Sequence, residues 1–223
     1  MSVERPLRDR REAGFSLIET MRWQPGGGLV RRDLHMARLA GSAQRLGFAC
    51  SQQDVSAQLD TALENCIAPM RVRLELPSDG HVSITTQPFS PLVPDTIWRL
   101  RIASTRLDST DELLPHKTSR RTVYEAARAE FSAGQADEVL LCNEKGEICE
   151  GTITSLFVEM PDGMVLTPAL GCGLLDGVLR KELLQQGKAY EAILSRNDLL
   201  QAKRIFVGNS LRGLIEARLP SAG

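Results

Sequence analysis

The stretch His116-Lys117-Thr118-Ser119-Arg120-Arg121 decides how the rest of the chain is read. It follows a polar, Pro-ended loop and precedes a helical pattern. Five lysines stand against twenty-two arginines, so the chain meets its need for positive charge with Arg. A lysine kept here offers what Arg cannot: an amine that loses its proton when desolvated or crowded by cations and then adds to a carbonyl. Two arginines and a His lie within four residues of Lys117. Thirty-three residues on, Glu150 follows in Gly146-Glu147-Ile148-Cys149-Glu150-Gly151-Thr152.

Working outward, the N-terminal half opens with a strand pattern from Phe15 to Trp23. Ile18, Thr20 and Arg22 fall on one face and Leu17, Glu19 and Met21 on the other. Gln24-Pro25-Gly26-Gly27-Gly28 reads as a turn. Asp33 is the expected N-cap of a helix whose buried stripe is Met36, Leu39, Ala40, Ala43 and Leu46, with Arg38 beside it. A second helix is expected over 52–65. Met70, Val72, Leu74 and Leu76 alternate with Arg71, Arg73 and Glu75, a half-buried antiparallel strand. Its partner, Val82 to Thr86, lies across the Pro77-Ser78-Asp79-Gly80 turn, and Ile97 to Ala103 forms another strand.

Residues 107–116 have no period and are expected to link a smaller domain (1–106) to a larger one (117–223). The larger one is read as a helix (121–132), then strands at 138–143, 147–150, 154–159 and 164–167. A helix at 178–186 follows, with strands at 191–194, 204–207 and 214–218. Adjacent strands with interspersed helices in two halves define an α+β class.

The bulk numbers exclude several functions. A net charge of −1 over 223 residues argues against a nucleic-acid binder. No run of about 18 apolar residues is present, and the N-terminus has no apolar leader, so neither membrane span nor signal peptide is expected. Five cysteines without a Cys-x-x-Cys pair point to reduced thiols in the cytoplasm rather than disulfides or zinc. The three scattered histidines offer no metal spacing, and His35 and His116 read as structural rather than as general bases.

Two further segments carry chemistry. Cys172-Gly173-Leu174-Leu175-Asp176-Gly177-Val178-Leu179-Arg180 is a Gly-rich turn opening a helix, whose amides can receive an anion. Its spacing is not a dinucleotide fingerprint. Phe206-Val207-Gly208-Asn209-Ser210-Leu211-Arg212-Gly213 is a strand running into a polar turn, where Ser210 can add a hydroxyl. A phosphorylated aldehyde cofactor needs this set: an amine for the aldehyde, a carboxylate for a pyridine nitrogen, and Arg, helix amides and a hydroxyl for the phosphate.

In that combination the chain resembles the fold-type IV pyridoxal-phosphate enzymes, the aminotransferase class IV family. The likeness runs from about Phe15 to Leu219. It is carried by 15–23, His35-Met36-Ala37-Arg38-Leu39, 116–121, 143–152, 173–180 and 209–213. The resemblance implies a two-domain fold like that of the D-amino acid aminotransferases, pyridoxal 5'-phosphate as cofactor, and a homodimer. Lys117 resembles the Schiff-base lysine and Glu150 the partner of the pyridine nitrogen. Arg38 resembles the phosphate arginine and Leu175 the apolar residue packed on the ring. The Val178 and Leu179 backbone, with Ser210, resembles the rest of the phosphate cup. Thr20, Arg22 and Arg212 are candidates on the substrate side.

Within the family, 18–23, 116–121 and 209–213 are most similar to 4-amino-4-deoxychorismate lyases, often found behind aminobenzoate synthase component I. That implies formation of 4-aminobenzoate and pyruvate, a folate precursor step. The alternatives are a class IV aminotransferase of branched-chain or D-amino acids, and a non-catalytic homologue. The last is raised by two departures: Arg8 to Gly14 is a poor copy of the family's opening block, and Ser155 stands where the family has Asn.

Overall fold

A computed structural model describes residues 14–220. The expectation placed on Arg8 to Ala13 lies outside the described residues. In chain order the elements are β1 (Leu17–Gln24), β2 (Gly28–Leu29), α1 (Arg32–Leu46), α2 (Gln52–Leu63), β3 (Met70–Leu76), β4 (Ser83–Pro88), β5 (Trp98–Leu107), α3 (Thr122–Ala129), β6 (Glu138–Asn143), β7 (Ile148–Gly151), β8 (Ser155–Glu159), β9 (Val165–Pro168), α4 (Val178–Gln185), β10 (Tyr190–Ala192), α5 (Arg196–Gln201), β11 (Arg204–Asn209) and β12 (Gly213–Arg218). The α+β class holds.

Two compact units divide the chain. One comprises the described residues up to Ser90 together with His116–Arg120; the other comprises Pro91–Pro115 and the chain from Arg121 onward. These limits differ from the expected break at 107–116. β5 lies in the second unit, and the short segment carrying Lys117 lies in the first.

The first unit is a four-stranded antiparallel sheet, ordered β2-β1-β3-β4, with α1 and α2. Period-two alternation explains β3: Val72, Leu74 and Leu76 are wholly buried, while the residues between them are half-buried. They share a core with Leu17 and Met21 of β1, Leu39 and Ala43 of α1, and Val55, Leu59 and Leu63 of α2. Glu19 sits on this inner face between Leu17 and Met21, so the core-facing side of β1 carries a buried charge.

α1 departs from its expected cap. Its N-cap is Arg31, left-handed at φ 58 and without a side-chain cap bond, and Asp33 lies in the first turn. The chain leaves β2 with the Val30 amide still bonded to the Arg22 carbonyl, and must reverse at once. A left-handed residue makes that reversal, which leaves no extended position for a capping carboxylate. Asp33 instead complements the helix dipole. The buried face of α1 is His35, Leu39, Ser42 and Ala43, rather than an all-apolar stripe.

The second unit is an eight-stranded mixed sheet, ordered β10-β9-β8-β11-β12-β5-β6-β7. β12, β5 and β6 run parallel to one another, as do β9 and β10, and the remaining pairs are antiparallel. β6, β7 and β8 are buried throughout. α5 was not anticipated. Ser195 caps it in a reciprocal capping box with Asp198.

Candidate active site

Lys117 is fixed through its backbone to the start of β1. The Ile18 amide donates to the Lys117 carbonyl (2.8 Å), Thr118 bridges Leu17, and the Ser119 amide donates to the Ser16 carbonyl (2.8 Å). The Ser119 hydroxyl accepts from the Ser16 amide at 2.9 Å. On the preceding residue, His116 Nδ1 lies 2.9 Å from Ser42 Oγ of α1. Burial, aided by the Arg45 charge, holds His116 below the usual imidazole range. A neutral, tethered ring there favours a structural role.

Arg38 is held by a residue that the sequence reading passed over. Its Nε and Nη2 donate to the two oxygens of Glu19 at 2.8 and 2.6 Å, and His35 Nδ1 lies 2.6 Å from Glu19 Oε2. Glu19 and His35 are fully buried. Burial by itself raises the Glu19 carboxyl, but the Arg38 charge and the bonds from His35 and Arg38 outweigh it and hold the group at about 2. The signal was an acidic residue at a core-facing strand position.

Thr20 and Arg22 lie on the opposite face of β1 from Glu19. They stand directly across from Arg73 and Arg71 of β3. That sheet face therefore carries three guanidinium groups, those of Arg22, Arg71 and Arg73. Arg22 lies 5.9 Å over the Phe89 ring, and its Nε is buried with no acceptor among the described residues.

In the second unit, Glu150 sits on β7, 3% exposed. Its Oε1 accepts from the Tyr124 hydroxyl of α3 (2.8 Å) and from the Leu175 amide (3.1 Å). The structure thus brings Glu150 and Leu175 together. Tyr124, also missed, is pushed up strongly by burial and by the Glu150 charge, so it stays a proton donor. Arg121 lies 4.7 Å over its ring.

Val178 and Leu179 form the first turn of α4. Its N-cap, Gly177, has no side chain with which to cap the first amides. Gly177 has an ordinary φ, yet a Cβ there would fall 2.5 Å from Ser155 Oγ. Ser155 pairs with Gly208 of β11, where a Cβ would lie 2.8 Å from Leu179 Cδ2. Two glycines and one small serine thus seat the start of α4 on β8 and β11. Ser210 is buried two residues beyond Gly208, and the Arg212 amide donates to Asn209 Oδ1 at 3.0 Å. Val178, Leu179 and the Ser210 turn are therefore neighbours.

These residues suit the cofactor deduced from the sequence. A buried carboxylate with fixed donors matches a protonated ring nitrogen, and a helix start whose N-cap is glycine matches a phosphate. Among the described residues, no helix is long and apolar enough to cross a membrane.

An α+β chain of two units, one carrying Lys117 and the other a buried Glu150, is the framework of a class of pyridoxal-phosphate enzyme. The amino-transferase class IV model matches residues 16–219, and the chain belongs to that family. The family is pyridoxal-phosphate-dependent and its members are enzymes. A Schizosaccharomyces pombe protein named "Putative aminodeoxychorismate lyase" is 30% identical over 207 residues, 88% of this chain and 86% of its own. A Thermotoga maritima "Probable branched-chain-amino-acid aminotransferase" is 27% identical over 198 residues, 82% of this chain and 70% of its own. The crystal structure of a "Putative amino-acid aminotransferase" from Mesorhizobium loti is 57% identical with a TM-score of 0.90, covering 92% of this chain and 100% of that one. The fold is that of the fold-type IV enzymes.

Proposed function

We propose that this chain is a pyridoxal-phosphate-dependent lyase that converts 4-amino-4-deoxychorismate to 4-aminobenzoate and pyruvate. The observation that carries the reading is the 30% identity with a protein named for that lyase over nearly the whole of both chains.

Bound pyridoxal phosphate would supply an aldehyde for the amine and a ring that accepts an electron pair. Lys117 Nζ would hold the aldehyde carbon at rest and, once displaced by the substrate amine, take the proton from the carbon bearing nitrogen. The same Nζ would then protonate the departing enolpyruvyl carbon, giving pyruvate. Glu150, oriented by Tyr124 and the Leu175 amide, would keep the ring nitrogen protonated. Leu175 would pack on the ring. Arg38, the Val178 and Leu179 amides and Ser210 would hold the phosphate. Thr20, Arg22 and Arg212 would orient the carboxylates of the substrate.

The Mesorhizobium loti likeness favours a second reading, an aminotransferase, in which Lys117 Nζ returns the proton to the cofactor side and a keto acid leaves. Incubation with aminodeoxychorismate decides between them. Release of 4-aminobenzoate and pyruvate supports the lyase. Amino transfer to 2-oxoglutarate without pyruvate overturns it. A protein that stays colourless with added cofactor returns the non-catalytic reading, and Lys117→Ala is expected to abolish both the visible band and turnover. The homodimer is part of the same proposal and is checked by sedimentation. All five cysteines are free thiols, which supports a cytoplasmic enzyme.

A further inference from the structure

Glu138 opens β6, a strand that is otherwise Val139-Leu140-Leu141-Cys142-Asn143, and it is completely buried. Both of its oxygens are filled. Oε1 accepts from the amides of Val139 (2.9 Å) and Thr152 (3.0 Å) and from the Thr152 hydroxyl (2.6 Å). Oε2 accepts from the Ile153 amide (3.2 Å) and the Thr154 hydroxyl (2.8 Å). No charged group among the described residues pairs with it; uncharged donors alone hold the carboxylate. A buried ion is costly unless its hydrogen bonds are complete, and here they are.

All of those donors except the Val139 amide belong to one turn, residues 151–154, directly after Glu150. Gly151 is pressed against the carboxylate: a Cβ there would fall 2.8 Å from Glu138 Cδ and 2.4 Å from Thr154 Oγ1. The turn cannot slide without giving up several of these bonds at once.

From the turn, contacts run in two directions. The Thr152 carbonyl accepts from the Arg121 guanidinium, which stacks on Tyr124, whose hydroxyl donates to Glu150. The Ile153 carbonyl accepts from Asn209 Nδ2 (3.1 Å), and Asn209 Oδ1 accepts from the Arg212 amide, closing the turn that carries Ser210. We propose that Glu138 is a positioning residue: through this one turn it sets both the Glu150 carboxylate and the Ser210 turn. This rests on the reading that Glu150 and Ser210 serve opposite ends of pyridoxal phosphate.

Glu138→Gln keeps the shape and replaces one acceptor by a donor. The amide nitrogen is best accommodated on the Oε2 side, where the Thr154 hydroxyl can rotate to accept. The Ile153 amide then has no acceptor. Thr154→Val, a milder change, removes one donor should Glu138→Gln fail to fold. Asn209→Ala cuts only the branch to Ser210.

Hydrogen exchange on cofactor-free protein is read first. Glu138→Gln, or Thr154→Val to a smaller extent, accelerates exchange in both 150–154 and 209–213, whereas Asn209→Ala does so in 209–213 alone. Binding of pyridoxal phosphate and of phosphate-free pyridoxal, followed by visible absorbance, is read second. Losing one hydrogen bond to a charged group costs about tenfold in affinity, so Glu138→Gln should bind both compounds about tenfold more weakly. Asn209→Ala should weaken only the phosphorylated one. Acceleration confined to 150–154 overturns the coupling to Ser210. Unchanged binding by Glu138→Gln, with a lower melting temperature, makes Glu138 merely structural. A parent chain that binds neither compound overturns the cofactor reading and the positioning role with it.

Discussion

Glu19 occupies a place where an apolar residue would complete the inner face of β1, and its charge is retained by Arg38 and His35 rather than by water. Its folded value of about 2 lies below the ordinary 4.5, so folding favours the ionised form. The stabilisation is complete above pH 4.5, declines as the pH falls, and is gone below about 2. A shift of this size corresponds to on the order of 3 kcal/mol. Glu19→Gln should therefore lose about 3 kcal/mol at pH 7, since the half-buried Arg38 loses its partner, and should lose less on acidification than the parent. Urea unfolding at pH 7 and pH 2.5 measures both. Equal acid sensitivity in the two proteins would remove Glu19 as the cause. Tyr124→Phe is a smaller change: it leaves Glu150 one donor short and should cost about 1–2 kcal/mol at neutral pH. A denaturant midpoint unchanged from the parent would count against that bond. At this scale the sequence made Lys117 and Glu150 visible by residue type and spacing. It hid Glu19, Tyr124 and Glu138, because a residue that works by holding another is recognisable only when its partner, distant in sequence, is in view.

Long periodic elements and several short strands were readable from the sequence, whereas the short helix α5 was not. β3 announces itself by strict alternation, and α1 by its recurrence over four turns, even though its cap and two of its buried positions differ. α5 spans six residues, too few to show a period; its one trace was Ser195 three residues ahead of Asp198. The start of α4 was legible as a Gly-rich turn, but the reason for its glycine was not. Gly177 has a φ of −66°, which any residue adopts, so only the contact with Ser155 forbids a side chain. Gly177→Ala should then cost about 1–3 kcal/mol through overpacking. Adding Ser155→Ala removes the clashing hydroxyl and leaves Ser155 Cβ at an ordinary 3.8 Å, so the double variant should recover most of the loss. A double-mutant cycle by thermal unfolding tests this, and strictly additive losses would refute it. The same contact calls for a small residue at 155.

At the scale of the whole molecule, the limits of the two units do not follow a single break in the chain at 107–116. β5 looked like the last strand of the first half. It lies between β12 and β6 in parallel pairings, which join segments far apart in the chain and leave no local pattern to read. The division into units also sorts the cysteines. Cys50 and Cys66 belong to the first unit and are half-buried; Cys142, Cys149 and Cys172 belong to the second and are buried. Burial raises the thiols of Cys50, Cys142, Cys149 and Cys172, and the neighbouring Cys172 and Glu150 raise Cys149 further, which suppresses the reactive thiolate. A chromogenic disulfide reagent at pH 7.5 should therefore titrate at most two thiols within minutes in native protein, both mapping to the first unit by mass spectrometry. The other three should react only as urea opens the second unit, which makes each pair or trio a reporter for its own unit. Rapid labelling of Cys149 or Cys172 without denaturant would contradict the closed packing of β7 against the Cys172 turn, where Cys149 Sγ lies 3.3 Å from the Cys172 carbonyl. It would equally undermine the fixed placement of Glu150, the residue next along that strand.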